Sequence, residues 1–421
     1  MRGLPMSDAT TNLNQARFSM AQASDFLNVS FDTIRRWEKK GLVKAYRNLA
    51  GHRLFSVNEM TKLKAKLAGC KGAGYRLLKA DKSTSFQVIE LFAGAGGLAL
   101  GLAHAGLNTR LLVEVDKNAA QTLRHNRKNW PLIQDDIAQV SFDNLETDIL
   151  TGGFPCQAFS YAGKRLGFDD VRGTLFFEYV RAIKATRPKV ILAENVRGLE
   201  KHDQGRTLKI MLQILDEIGY RLAYKILRAQ YLDVPQKRER LVIIGVRKDL
   251  DLPILFPREQ DYTISLKEAL ENVPLSPGQT YTEKKCQLMQ QVPEGGYWRD
   301  LPLEIQKHYM GKSFYLTGGK TGMARRLSWD EPSLTLTCNP AQKQTERCHP
   351  CETRPLTVRE YARIQTFPDN WEFAGSTAAQ YKQIGNAVPV NLGYHLGRCL
   401  IAILTGKIDA STMMPCHETP S

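Results

Sequence analysis

Between Phe86 and Lys248 apolar runs alternate with helical stretches, and this rhythm constrains the fold more than any other feature of the chain. FQVIELF leads into a glycine-rich turn, then LALGLAHAG, RLLVEVD and the polar stretch NAAQTLRHN. Apolar runs return in DNLETDILTGG, PKVILAEN and RLVIIGV, with LFFEYVRAIKAT and TLKIMLQILDEIG between them. Strands separated by helices pair through crossovers, so the expected class is α/β, a doubly wound and mostly parallel sheet. Past Lys248 the rhythm stops. Residues 250–350 are rich in Pro, Gly, Gln and Thr and read as a smaller irregular domain. Helical patterning resumes in TVREYARIQTF and NLGYHLGRCLIAIL, so 351–405 are expected to return to the 86–249 domain, leaving 406–421 as a tail.

Charge narrows the partners. Fifty-eight Lys and Arg against 43 Asp and Glu leave a net charge of +15, spread along the chain, which points to a polyanion. No stretch approaches the roughly 18 consecutive apolar residues of a membrane span, and the N-terminus has no apolar signal core. The partner is therefore expected to be nucleic acid, with no membrane, and the location cytoplasmic. The eight cysteines are irregularly spaced and form no disulfide framework, so their thiols are expected to stay reduced.

VIELFAGAGGLALG places Gly94, Gly96 and Ala99 in a G-x-G-x-x-G/A turn between strand and helix, with Glu114 twenty positions after Gly94. Such a turn lets a ligand approach the backbone, and the carboxylate suits ribose hydroxyls. A dinucleotide and an adenosyl methyl donor fit it equally, as does a turn with no ligand at all. Asp136 in IQDDIAQ adds a second acidic group after the next strand. Glu194 in ENV ends the run KVILA at the carboxyl edge of the sheet, where it can share a proton with a ring nitrogen or simply cap the following loop. In QKRER, Arg238 and Arg240 lie two apart on an extended segment and are expected to point the same way, toward a phosphate or a carbonyl oxygen. Asn386 in QIGNAVPVNLG is a further polar candidate.

One cysteine stands apart. In GGFPCQAFS, Gly152 and Gly153 open a loop and Pro155 fixes the backbone before Cys156, outside any periodic apolar run. A cysteine held this way is a candidate nucleophile rather than a space-filling hydrophobe.

In order the chain presents ELFAGAGG, EVD, DDI, GGFPCQAFS, ENV, QKRER, a variable block, RPLTVREYARIQTFP and QIGNAVP. This series resembles the cytosine-5 DNA methyltransferase family over residues 86–405, with two departures: Val390 where GNAVPP is common, and Asp135-Asp136 where the family has GD. The resemblance implies a Rossmann-like S-adenosylmethionine-dependent fold, with 250–350 as its target-recognition domain. It implies Cys156 as the nucleophile that adds to carbon 6 of a flipped cytosine, Glu194 at ring nitrogen 3, and Arg240 with Arg238 at the base carbonyl and phosphate. It also implies a cofactor shell of Phe92, Ala93, Gly94, Gly96, Gly97, Glu114, Asp136, Ile137, Leu175 and Asn386. No metal is expected, although CNPAQKQTERCHPC carries Cys338, Cys348, His349 and Cys351 at spacing poor for zinc.

Ahead of this lies a second module. Residues 1–17 read as disordered and 69–85 as a glycine-rich linker. In 18–68, Ser19 and Gln22 form a capping box, Asn28-Val29-Ser30 turns the chain, and Ser30 can cap a helix carrying Ile34 and Trp37 inward and Arg35 and Arg36 outward. With two extended runs about Ala50-Gly51 as a wing, this is similar to winged helices of the MerR and excisionase types. The expected function is sequence-specific methylation of double-stranded DNA, protecting it from a partner restriction endonuclease in a bacterium, with the extra module binding the protein's own promoter. The rival reading is a helix-turn-helix regulator whose methyltransferase half is vestigial. Methylation of RNA cytosine is disfavoured by the PCQ and ENV pairing and the large variable block.

Overall fold

The structure is a computed structural model that describes residues 17–27, 29–39, 41–48, 51–57, 59–60, 63, 74–154 and 175–419. The chain divides into two compact units, Met1–Gly74 and Tyr75–Ser421.

In the first unit a helix Met20–Leu27 and a helix Phe31–Lys39 pack with three short antiparallel strands, Arg17–Ser19, Ala45–Arg47 and Arg53–Ser56. Ser19 and Gln22 exchange backbone-to-side-chain bonds of 2.9 and 3.3 Å, the reciprocal cap expected. The Ser30 hydroxyl accepts from Thr33 N at 3.3 Å and starts the second helix. Ala23, Leu27, Ile34, Trp37 and Phe55 form the core. One expectation fails: Arg36 is buried beside Trp37, and only Arg35 of the pair is exposed. The helix has only nine residues, and the face that buries Thr33 and Trp37 is wide enough to take in the position between Arg35 and Trp37.

In the second unit seven strands form one sheet: β1 Gln87–Leu91, β2 Asn108–Val113, β3 Leu132–Ile133, β4 Ile149–Gly152, β5 Val190–Val196, β6 Tyr220–Arg228 and β7 Glu239–Arg247. Their spatial order is β3-β2-β1-β4-β5-β7-β6. The first five are parallel, while β7 runs antiparallel to both neighbours. Strands such as VILAENV are buried along nearly their whole length, as a sheet covered on both faces requires. The strand order reverses between β1 and β4, and the carboxyl ends of strands at such a switch point are where open α/β sheets hold ligands.

Helix α1 (Gly97–Ala105) follows β1, α2 (Lys117–Asn126) follows β2, α3 (Leu175–Thr186) precedes β5, and α4 (Arg206–Glu217) precedes β6. The chain returns through α5 (Val358–Ile364), α6 (Thr377–Asn386) and α7 (Val390–Thr405). Helix α7 lies on α1 so closely that a Cβ on Gly101 would stand 2.3 Å from the Val390 carbonyl. The run Thr377–Thr405 meets the length and composition of a membrane-crossing helix, but 78% of its apolar window is buried in the protein.

Two segments differ from their sequence reading. Residues 75–85, expected to be linker, are sewn into the second unit: Ala80 N donates to His104 O at 2.7 Å, and Leu78 N to Asn391 Oδ1 at 3.0 Å. The 406–421 tail contributes a strand, Met413–Pro415, that pairs with Leu255–Pro257. Both depend on contacts with partners distant in sequence, 313 residues away for Leu78 and Asn391, which local pattern does not encode.

The irregular block has a core of Met289, Trp298, Met310, Met323 and Cys348. The buried Arg326 replaces regular pairing there, donating to the carbonyls of Met289, Val292, His349 and Glu352 at 2.6 to 3.1 Å.

Candidate active site

The site begins at the carboxyl ends of β4 and β5. Glu194 and Arg240 occupy diagonal positions on adjacent strands, since Arg240 lies opposite Val196 in the β5–β7 register. Their side chains, both largely buried, meet with Arg240 Nε 2.6 Å from Glu194 Oε1. The other oxygen, Oε2, faces the chain leaving β4: a Cβ on Gly153 would stand 3.2 Å from it. Asn195 Nδ2 donates to Phe154 O at 3.0 Å and pins the same segment. The two residues before Pro155 are thus held against Glu194 and Asn195. Cys156 itself lies outside the described residues. Asn195 was missed in the sequence, where a polar residue ending an otherwise apolar strand was the available signal, and Gly153, read there only as a loop opener, stands against Glu194.

Arg238 and Arg240 part company, against expectation. Arg238 is only 1% exposed, and its guanidinium donates to the carbonyls of Gly385 (3.2 Å), Ala387 (3.0 Å) and Leu336 (3.4 Å). Burial, with the Arg240 charge nearby, pushes its pKa down to about 9. The backbone between Gln236–Lys237 and β7 is not a continuous strand, and alternation across that break does not put two side chains on one open face. Gln236 and Gln365 complete the network: Gln236 Nε2 donates to Gln365 Oε1 at 2.8 Å, and Gln365 Nε2 to Ile384 O at 2.7 Å.

The glycine-rich turn lies at the end of β1. Phe92 and Gly94 take positive φ values of 58° and 55°. No atom lies within 4 Å of where a Gly94 Cβ would be, so that side of the turn is open. Gly97 answers a different need, because a Cβ there would stand 2.2 Å from Val388 O. Glu114 braces the turn: Oε2 accepts from Gly94 N and Oε1 from Asp116 N, both at 2.7 Å. Beneath it, burial and the neighbouring Glu114 hold the Glu90 carboxyl well above the usual carboxylate range. Ala93 is buried, and Val115, unremarked in the sequence, is 67% exposed two residues beyond the end of β2. Asp136 is exposed and caps the short turn Ile137–Gln139, accepting from Ala138 N at 3.0 Å, with Ile137 buried behind it. Gly96 caps α1, and Leu175 is half-buried at the start of α3. Asn386 is exposed at the end of α6, where its Oδ1 accepts from Cys338 Sγ at 3.1 Å.

Among the described residues no three His, Cys, Asp or Glu side chains are grouped to hold a metal ion. Cys351 instead accepts from Trp329 Nε1 at 2.8 Å, and His349 Nδ1 accepts from Glu352 N at 3.0 Å.

Residues 86–402 match the model of the C-5 cytosine-specific DNA methylases. The chain belongs to that family. The methylase is a DNA (cytosine-5-)-methyltransferase, and its residues 19–55 match the MerR family of regulatory proteins. It is 53% identical to the Type II methyltransferase M.Eco47II of Escherichia coli, over 93% of this chain and 97% of that one. It is 56% identical to M.Sau96I of Staphylococcus aureus over 77% of each. Among solved structures, Spodoptera frugiperda DNMT2 superposes with a TM-score of 0.56 at 18% identity, covering 75% of this chain and all of that one, a likeness of fold.

Proposed function

We propose that this methylase transfers a methyl group from S-adenosylmethionine to carbon 5 of cytosine at specific sites in double-stranded DNA, through a covalent adduct between Cys156 and a flipped base. The observation that carries this reading is the convergence of Glu194, Asn195 and Gly153 at the mouth of the segment that leads to Cys156.

The crevice at the glycine-rich turn fits an adenosyl ligand. The open side of Gly94 admits it, Glu114 stands behind, Val115 offers an exposed apolar face to a purine, and Asp136 with Ile137 closes the far edge. Phe92, Ala93, Gly96, Gly97, Leu175 and Asn386 complete the surround. When bound, S-adenosylmethionine supplies an electrophilic methyl carbon. A cytosine in the duplex is shielded by its neighbours, so it is extruded at a cost of a few kcal/mol. The Cys156 thiolate adds to carbon 6, which makes carbon 5 electron-rich enough to accept the methyl. Carbon 5 then loses its proton, the ring double bond re-forms and the carbon–sulfur bond breaks. Glu194 Oε2, directed at the Gly153 segment, binds ring nitrogen 3 while Oε1 keeps its bond to Arg240. Arg238, committed to three carbonyls, positions the Gly385–Ala387 segment and with it Asn386.

Close relatives that are Type II methyltransferases support a paired restriction endonuclease and a bacterial cytoplasmic setting, in contact with the nucleoid. The first unit is read as a second DNA-binding element, with Arg35 on the exposed face of its second helix and the promoter of its own gene as target. Replacing Arg35 with alanine is expected to weaken a promoter-fragment gel shift while bisulfite-read methylation stays unchanged; the reverse pattern would assign the unit to substrate recognition.

Bisulfite sequencing of plasmid from cells expressing the chain tests the main reading, and is expected to reveal protected cytosines in one sequence context. Cys156→Ser should erase them while leaving cofactor binding near wild type, because a hydroxyl is a far poorer nucleophile than a thiolate at neutral pH. Turnover by the serine variant would refute the adduct.

A further inference from the structure

The irregular block carries an outward apolar tip that nothing in the protein covers among the described residues. Helix Leu303–Met310 runs into a short turn, Gly311–Tyr315, after which Tyr315 and Leu316 stand 79% and 65% exposed. Isolated exposed apolar side chains are ordinary on protein surfaces, but two large ones side by side on a fixed backbone mark an interaction site. The backbone here is fixed on both sides. Phe314 packs edge-on against Trp298 at 6.0 Å, and Tyr315 packs edge-on against Phe314 at 5.2 Å. The Lys320 ammonium bonds the carbonyls of Ser313 and Leu316, the latter at 2.8 Å, and ties the tip to the loop that follows.

Charge identifies the occupant. Residues 311–326 include Lys312, Lys320, Arg325 and Arg326 and no acidic side chain. Arg326 is buried, but Lys312 is exposed beside the tip. The nearest acid across the turn, Glu304, is paired with Lys307 at 3.0 Å, and an apolar pair with an excess of basic neighbours fits the floor and walls of a nucleic-acid groove better than a typical protein surface. The loop that follows the tip is linked through one further segment to Asn386. Behind it, Gly322 lies under the 338–346 segment: a Cβ there would stand 2.3 Å from Gln344 O, and Glu346 N donates to Gly322 O at 2.9 Å. That segment begins at Cys338, whose thiol meets Asn386.

We propose that Tyr315 and Leu316 are sequence-reading residues of this methyltransferase, entering a groove of the duplex to contact base edges through the Leu316 side chain and the Tyr315 ring and hydroxyl, with Lys312 on a flanking phosphate. The proposal rests on the reading of the chain as a duplex-DNA methyltransferase. An apolar side chain at a base edge discriminates by fit, and a tyrosine hydroxyl can both donate and accept.

The test uses the full chain, S-adenosylmethionine, and two duplexes: the site found by bisulfite sequencing and versions altered at one base pair outside the target cytosine. The variants are Tyr315→Ser with Leu316→Ser, Leu316→Ser alone, and Lys312→Ala. The double variant should lose about tenfold or more in kcat/KM on the intact site, mostly through KM, and should lose discrimination at one or two base positions. Leu316→Ser alone should show the same pattern more weakly, and serves if the double variant fails to bind cofactor. Lys312→Ala should weaken all duplexes alike and flatten the salt dependence by about one unit of slope. If both serine variants bind cofactor normally and keep wild-type KM and discrimination, the proposal is overturned and the tip belongs to a protein partner. If the wild type itself methylates no duplex cytosine, it is the functional reading that fails.

Discussion

Glu194 has two oxygens with two different surroundings, and this asymmetry is the main consequence of the site at the scale of single residues. Oε1 is engaged by Arg240 at 2.6 Å, while Oε2 points toward Gly153. A glutamine keeps the shape and one acceptor but loses the charge and the ability to move a proton. Glu194→Gln is therefore expected to cut kcat by about 100-fold or more while KM changes little, the pattern of an interaction made chiefly in the transition state. Steady-state kinetics on a single-site duplex checks it, and a change confined to KM would make Glu194 a binding residue only. Both members of the pair were visible in ENV and QKRER. Their contact was not, because it depends on the antiparallel register of β7 against β5.

At the scale of elements, the return of α5, α6 and α7 to the sheet is held by a buried polar network rather than by helix packing alone. Arg238 joins the segment after Gln236 to Leu336 and to Gly385 and Ala387, and Gln365 joins α5 to Ile384. Removing a buried partner leaves the opposing carbonyls unsatisfied, which costs more than the net value of the bonds themselves. Arg238→Met is expected to destabilise the protein by about 2–4 kcal/mol. It should also weaken cofactor binding through the displaced Asn386. Denaturation midpoints and titration with S-adenosylmethionine check this; a variant of wild-type stability with impaired DNA contact alone would restore Arg238 to the substrate surface.

For the whole molecule, the division into two units fixes where the chain can be cut. Removing residues 1–74 deletes the first unit and no residue of the seven-stranded sheet or of its site, so kcat is expected to hold. DNA affinity should fall only as basic residues are lost. Cutting six residues further removes Arg76 and Leu78, whose backbone groups bond Asn391 at 2.9 and 3.0 Å at the start of α7. Deletion of 1–80 is therefore expected to lower Tm by several degrees where deletion of 1–74 does not lower that of the catalytic unit. Thermal unfolding of the two truncations side by side decides the point. Equal stability would return residues 75–80 to the status of linker.

What the sequence determined by itself is the set of groups whose chemistry depends on residue type and local conformation. The α/β class followed from alternating strands and helices, the cap of the first helix from Ser19 and Gln22, and the open turn from glycine at 94. Tertiary structure decided whatever depends on two distant segments meeting. It paired Arg240 with Glu194 but turned Arg238 inward to Gly385 and Ala387, because a break before β7 changes which side chains share a face. It buried Arg36 with Thr33, Ile34 and Trp37 of its own helix rather than leaving it outward. It drew residues 75–85 and the C-terminal strand onto the catalytic unit through hydrogen bonds with Asn391, His104 and the Leu255–Pro257 strand. An unpaired backbone group in sequence carries no mark of the partner that folding supplies.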